Sequence, residues 1–232
     1  QGPGGNSMYL GDKIYKSGLV GIALTGEIEV DTIVAQGCRP IGEPMQITKC
    51  EETLLQELEG KPPLEVLQEL HETLSDSDKQ LLQTSLFLGI EMDPMKDNPK
   101  QGDFLIRNLM GIDRESGGLA IGTLLRNGQL VQFHLRDKKM SAEDLDVMLT
   151  RYLNLGNAEN AKGALLFSCL GRGQYLYGEA NHDTDMFQNK LGKIPLGGFF
   201  CNGEIGPVGN TTFLHGYTSS FGIFRSPESG AS

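Results

Sequence analysis

Gly163-Ala164-Leu165-Leu166-Phe167-Ser168-Cys169-Leu170-Gly171-Arg172-Gly173 reads as a buried strand that stops at a glycine turn. Its neighbours on both sides decide the fold class. Before it, Ser141-Ala142-Glu143-Asp144 has the pattern of a helix cap, opening a helix with Leu145, Met148, Leu149 and Tyr152 on one face. After it, strand patterns recur over 197–202, 211–215 and 217–225. Upstream, residues 103–136 form a meander with turns at Ser116-Gly117 and Asn127-Gly128. Helices separated by meanders predict an α+β protein with mixed or antiparallel sheets and flanking helices, not a doubly wound parallel sheet.

The first third follows the same logic. Met8-Tyr9-Leu10 and Ile14-Tyr15 flank a turn at Gly11-Asp12-Lys13. The apolar run Leu19 to Leu24 and the segment Ile28 to Val34 flank Thr25-Gly26-Glu27, which predicts a buried strand and a tight hairpin. Gln36 to Gly42 reads as a compact turn. Pro62-Pro63 opens a helix with Leu64, Leu67, Leu70 and Leu74 on one face, and Ser75 caps a shorter one. Residues 85–92 read as a buried strand, and 93–100 as a loop. Gly118 to Leu125 echoes Gly18 to Leu24, which suggests two pseudo-equivalent lobes.

Length and composition narrow the function classes. The chain has 232 residues and a net charge of −10. That sign repels phosphate backbones and anionic lipid, so neither nucleic acid nor a membrane surface is an expected partner. No apolar run approaches the roughly 20 residues of a membrane span. Glycine supplies 31 residues, nearly double the usual share of about 7%. Four cysteines, Cys38, Cys50, Cys169 and Cys201, show no paired spacing, so reduced thiols and neither disulfides nor zinc are expected.

Three places could carry chemistry. Cys169 to Gly173 puts polar atoms at a strand end, and Arg172 has a fork suited to a carboxylate or phosphate. A core cysteine and a surface arginine explain the same residues. Cys201-Asn202-Gly203-Glu204 places a carboxylate beyond a tight bend, where it accepts either a ligand ammonium or backbone amides. Leu214-His215-Gly216-Tyr217-Thr218 sets an imidazole and a phenol around a glycine in a strand. His71 reads as solvated, His134 as lying on a polar strand face, and Asn181 to Asp185 as a helix cap rather than a metal site. Cys169 or Cys201 with His215 would supply nucleophile and base, but no catalytic cysteine signature surrounds them.

The order Gly-Cys-Arg-Pro-Ile-Gly (37–42), Phe-Ser-Cys-Leu-Gly-Arg (167–172), Gly-Glu-Ile-Gly-Pro (203–207) and Leu-His-Gly-Tyr-Thr (214–218) resembles the FIST domain family. The resemblance covers most of the chain. It implies residues 1–83 as the end of the N-terminal FIST part, 84–225 as the C-terminal part and 226–232 as a tail. It further implies an intracellular, non-enzymatic sensory module that binds a small molecule such as an amino acid, in a cytoplasm or a plastid stroma. The alternatives are a protein-recognition adaptor, as in F-box relatives, and a thiol-dependent enzyme. The expected site gathers Cys38, Arg39, Cys169, Arg172, Cys201, Asn202, Glu204, His215 and Tyr217. Arg172 or Arg39 would take a carboxylate and Glu204 an amine, with no metal or cofactor. The family's opening portion is expected to precede this chain, so a site shared between halves would need that half as partner.

Overall fold

A computed structural model describes residues 4–208 and 211–227. The expected tail over 226–232 falls largely outside them. Strands β1 (Met8–Leu10) and β2 (Lys13–Tyr15) form an exposed hairpin, as their turn predicts. The chain then enters β3 (Glu29–Ala35), β4 (Arg39–Glu51) and β5 (Leu54–Leu58). Helices α1 (Pro63–Thr73) and α2 (Asp76–Thr84) follow where the proline pair and Ser75 place them; the Ser75 side chain accepts from the Asp78 amide. Next come β6 (Leu86–Glu91), β7 (Phe104–Asp113), β8 (Gly118–Ile121), β9 (Leu130–Leu135) and helix α3 (Lys138–Asn154). The C-terminal third is β10 (Ala161–Cys169), α4 (Gln174–Tyr177), α5 (His182–Leu191), β11 (Leu196–Cys201), β12 (Glu204–Val208), β13 (Thr211–His215) and β14 (Ser219–Arg225).

The class is α+β. Six strands close a barrel in the order β4-β5-β8-β7-β6-β9, filled by Ile47, Leu55, Leu88, Leu119, Val131, Phe133 and Leu135. A four-stranded sheet, β11-β10-β14-β3, forms the second lobe, with one parallel pair between β10 and β11. Helices α3 and α5 pack on one face of that sheet. Leu145, Leu149, Phe187 and Leu191 meet Ile33, Leu166, Phe221 and Ile223, and the rings of Phe187 and Phe221 stack. Each such side chain buried contributes about 1.5–3 kcal/mol. The β12–β13 hairpin lies on the opposite face, with Gly206 against Val34 and Ser220.

Several expectations change. Residues 19–24 form no strand; Leu19 is 95% exposed and Ile22 90%. The segment Ile28 to Val34 does become a strand, but β14 is its partner. Hence the Gly18 and Gly118 segments, alike in sequence, differ in structure, because only the second finds neighbours to pair with. Residues 39–51 form a long strand despite Pro40 and Pro44. The ladder to β9 shifts register between Ile41 and Met45, where Gly42 takes a φ of 64°. Helix α3 starts four residues early, capped by the Asp137 side chain on the Met140 amide, so Ser141 and Asp144 lie inside it. His134, expected on a polar strand face, is buried.

Candidate functional site

The sheet and the barrel meet where β3 passes into β4. Gly37 turns there with a φ of 70°, and a Cβ would sit 2.8 Å from Ser141 Oγ and 2.9 Å from an Arg172 nitrogen. Only glycine allows that approach. Helix α3 grips the turn from above: the Gly37 amide donates to Asp144 Oδ2 at 2.8 Å, and Ser141 Oγ donates to the Gly37 carbonyl at 3.0 Å. Ser141 and Asp144 were legible as polar residues on the apolar face of that helix, four positions before Leu145 and Met148.

Arg172 is the centre of the junction. Its side chain is among the largest that are fully buried. Nε donates to Asp183 Oδ2 at 2.8 Å and Nη2 to Asp183 Oδ1 at 3.2 Å, a bidentate pair. Nη2 also donates to the Tyr177 hydroxyl at 2.6 Å and faces the Ser141 carbonyl at 3.4 Å, while Nη1 faces the Tyr217 carbonyl at 3.4 Å. Burial would raise the Asp183 pKa, but the Arg172 bonds and charge outweigh it and hold it at about 2. The fork expected to clasp a ligand carboxylate is thus occupied by a carboxylate of the chain itself. In the sequence, Asp183 reads only as part of a helix cap.

The remaining expected site residues scatter around this junction. Cys38 is buried against Phe87, Ile106 and Tyr217, and burial pushes its thiol up to about 12. Arg39 points elsewhere: Nη2 pairs with Asp78 at 2.5 Å. Cys169 and Cys201 are register partners at the ends of β10 and β11, and burial raises the Cys201 pKa. Asn202 is exposed in the turn. Glu204 and His215 sit opposite each other in the β12–β13 ladder. Glu204 Oε2 accepts from the Thr218 hydroxyl at 2.7 Å and His215 Nε2 meets the Gly206 carbonyl at 3.0 Å. Among the described residues, Glu204 Oε1 and His215 Nδ1 are buried without a hydrogen-bond partner. Burial raises the Glu204 pKa and lowers that of His215. The Tyr217 hydroxyl donates to Asn108 Oδ1. Arg136, just past the end of β9, lies over the Tyr217 ring at 5.1 Å and donates to the Gly171 carbonyl.

A cavity of about 540 Å³ opens on the helix face of the sheet. Its inner wall is Leu166 and Ser168 of β10, its outer wall Gly197 to Phe200 of β11, and its end the first turn of α5 with Asn181, His182, Asp183 and Thr184. The walls approach closely because Gly198 has no side chain: a Cβ there would lie 1.9 Å from the Leu166 carbonyl oxygen. His182 stacks on Tyr177 at 3.5 Å and shares a hydrogen bond with Asp183. Asp183 therefore faces the cavity with one side and holds Arg172 with its oxygens. Strand alternation turns Cys169 to the other face of the sheet from Ser168. None of the cysteine, glutamate and histidine positions expected from sequence lines this cavity. Among the described residues no group of histidine, cysteine and acidic side chains could hold a metal ion.

A bipartite α+β architecture, with a glycine turn and a buried arginine joining its halves, is the class these features define. The chain belongs to the FIST family: residues 2–61 match the FIST N domain and residues 63–207 the FIST C domain. The two matches meet at the start of α1. An uncharacterized protein of Mycobacterium tuberculosis is 41% identical over 214 residues, 91% of this chain and 55% of that relative. One from Mycobacterium bovis is 40% identical over 221 residues, 95% of this chain and 57% of the relative. An F-box/LRR-repeat protein of Arabidopsis thaliana is 26% identical over 142 residues, 55% of this chain and 27% of its own length. The chain spans about half the length of the curated mycobacterial relatives it matches. No helix among the described residues is long and apolar enough to cross a membrane.

Proposed function

We propose that this chain is a non-enzymatic sensory module that binds a small molecule in the cavity between β10, β11 and the first turn of α5. FIST domains are associated with signal-transduction sensing, and the cavity is the observation that carries the ligand-binding reading. Its volume of about 540 Å³ lies inside the range of roughly 300–1,000 Å³ typical of small-molecule sites. Its walls combine apolar surface from Leu166, Leu196, Phe199 and Phe200 with a few polar groups at one end. That inventory suits a metabolite of amino-acid to mononucleotide size. The coupling to the rest of the protein runs through Asp183. A ligand that shifts the α5 turn moves the partner of Arg172, and Arg172 supports the Gly37 turn and the Tyr217 carbonyl across the junction. The cavity replaces the expected cysteine cluster as the ligand site of this proposal, and neither Arg39 nor Arg172 serves as its clamp.

Thermal unfolding against a panel of amino acids and metabolites tests this. A ligand at 100 times its dissociation constant adds about 2.7 kcal/mol, which at roughly 2–4 °C per kcal/mol raises the midpoint by about 5 °C or more. Thr184→Trp, which fills the cavity from its rim, is expected to abolish the shift. A flat response from folded protein to every compound would sink the reading.

One observation favours an adaptor role as the second reading. Ile205 and Leu214 face each other across the β12–β13 ladder, and both are exposed, as are Phe199 and Phe200 on the β11 edge. Such a surface could receive a protein partner. Capture of a defined partner that Ile205→Lys prevents, with no ligand shift in the panel, would move the assignment there.

A further inference from the structure

Among the described residues, Asp183 is the only acidic one lining the cavity, and its two oxygens are fully used. Oδ2 accepts from Arg172 Nε at 2.8 Å and from Ser219 Oγ at 2.5 Å. Oδ1 accepts from Arg172 Nη2 at 3.2 Å and shares a hydrogen bond with His182 Nδ1 at 3.1 Å. A carboxylate has about four acceptor sites, so none remains for the ammonium of a ligand, and its charge is cancelled by the guanidinium it grips. What the same end of the cavity has left is donors. The first intrahelical bond of α5 runs from the Asp185 amide to the Asn181 carbonyl. The amides of His182, Asp183 and Thr184 therefore have no acceptor within the helix. Asn181 stands at the N-cap in a left-handed conformation, φ 64°, and its side chain makes no capping bond.

A second, independent observation points the same way. Ser168 sits on the inner wall, 4% exposed, and its hydroxyl has no hydrogen-bond partner among the described residues. Its register partner across β10 and β14 is Ser219, the residue that donates to Asp183. The two hydroxyls therefore lie on the helix face of the sheet, one already committed and one free. A buried hydroxyl without a partner is costly, and a ligand oxygen would satisfy it.

We infer that the cavity holds its ligand by an oxyanion, a carboxylate or a phosphate, seated on the amides of His182, Asp183 and Thr184 with the Ser168 hydroxyl as an additional donor. The positive end of the α5 dipole favours the charge. This rests on the cavity being the ligand site, and it adds the chemical class. The apolar walls at Phe199 and Phe200 then take the rest of the molecule.

The test is titration of the folded chain with inorganic phosphate and, separately, with acetate at matched ionic strength, following backbone amide shifts by NMR. Saturable shifts centred on His182, Asp183 and Thr184 are expected, and whichever anion saturates at lower concentration distinguishes phosphate esters from carboxylates. Thr184→Glu puts a carboxylate at the third helical position, where helices welcome one, so the fold is retained while anion binding is lost at least tenfold. Ser168→Ala is expected to bind at least threefold more weakly. Shifts that never saturate, or that persist unchanged in Thr184→Glu, overturn the oxyanion seat. If neutral metabolites bind in the cavity and neither anion does, the oxyanion inference falls and the sensing role stands. If nothing in either set binds, both fall.

Discussion

Replacing Arg172 by methionine removes a guanidinium with no solvent exposure and leaves four acceptors behind it. The Asp183 carboxylate, the Tyr177 hydroxyl and the carbonyls of Ser141 and Tyr217 lose donors at once. Breaking a buried pair from one side costs about 3–5 kcal/mol, chiefly because the surviving charge stays buried. At roughly 2–4 °C per kcal/mol for a chain of this size, the unfolding midpoint should fall by about 6–20 °C. The pH dependence supplies a second signature. In the parent, Asp183 is held at about 2, below the ordinary aspartate value of about 3.9. Its contribution, roughly 2–3 kcal/mol, is fully present above the ordinary value and drains away as pH falls toward 2. Without Arg172, only the Ser219 and His182 hydrogen bonds still oppose burial, and the Asp183 pKa rises. The variant is then weakest at neutral pH and recovers part of its deficit as that carboxylate protonates. Urea unfolding of parent and variant between pH 7 and pH 3 would show the gap narrowing with acid. A variant within 1 °C of the parent, or a gap independent of pH, would refute the assignment of Arg172 as an internal strut.

Three further outcomes are expected. His134 is buried and its pKa is depressed to about 4 by desolvation, so stability present above pH 6.5 drains as pH falls toward 4; His134→Leu should flatten that slope in thermal scans. Gly198→Ala should yield little folded protein, because its Cβ would lie 1.9 Å from the Leu166 carbonyl oxygen in the neighbouring strand; soluble protein with a parental midpoint would contradict the close packing of β10 on β11. Iodoacetamide at neutral pH should leave Cys38 unmodified until the chain unfolds and label Cys201 no faster than an ordinary thiol, since burial raises both pKa values; rapid labelling of either, followed by mass spectrometry, would reopen thiol chemistry.

Local signals carried much of the architecture. The proline pair at 62–63 and the leucine spacing after it, Ser75 before α2, and the turns at Ser116-Gly117, Asn127-Gly128 and Asn202-Gly203 each specify conformation within a few residues. The hairpin predicted at Thr25-Gly26-Glu27 failed for a physical reason. An apolar run such as Leu19 to Leu24 states a preference for burial but not the surface that would bury it, and β3 found β14 instead. The hairpin β12–β13 begins on a residue, Glu204, that sequence could place only beyond a bend.

The candidate site divides along the same line. Sequence alone determined the α+β class, the family motifs, the anionic character of the chain and the polar residue types at the ends of its strands. Tertiary structure decided which of those residues meet. Arg172 and Asp183 lie 11 positions apart, with α4 between them, and no periodicity links them. Gly37 and Asp144 are 107 apart and meet because the sheet and barrel share a junction. The cavity depends on the strand period of two, which sends Ser168 to the helix face of the sheet and Cys169 to the opposite face. A fork of donors, a carboxylate and a hydroxyl are legible as chemistry in one dimension. Whether each is satisfied from within, or left open for a ligand, is settled by packing.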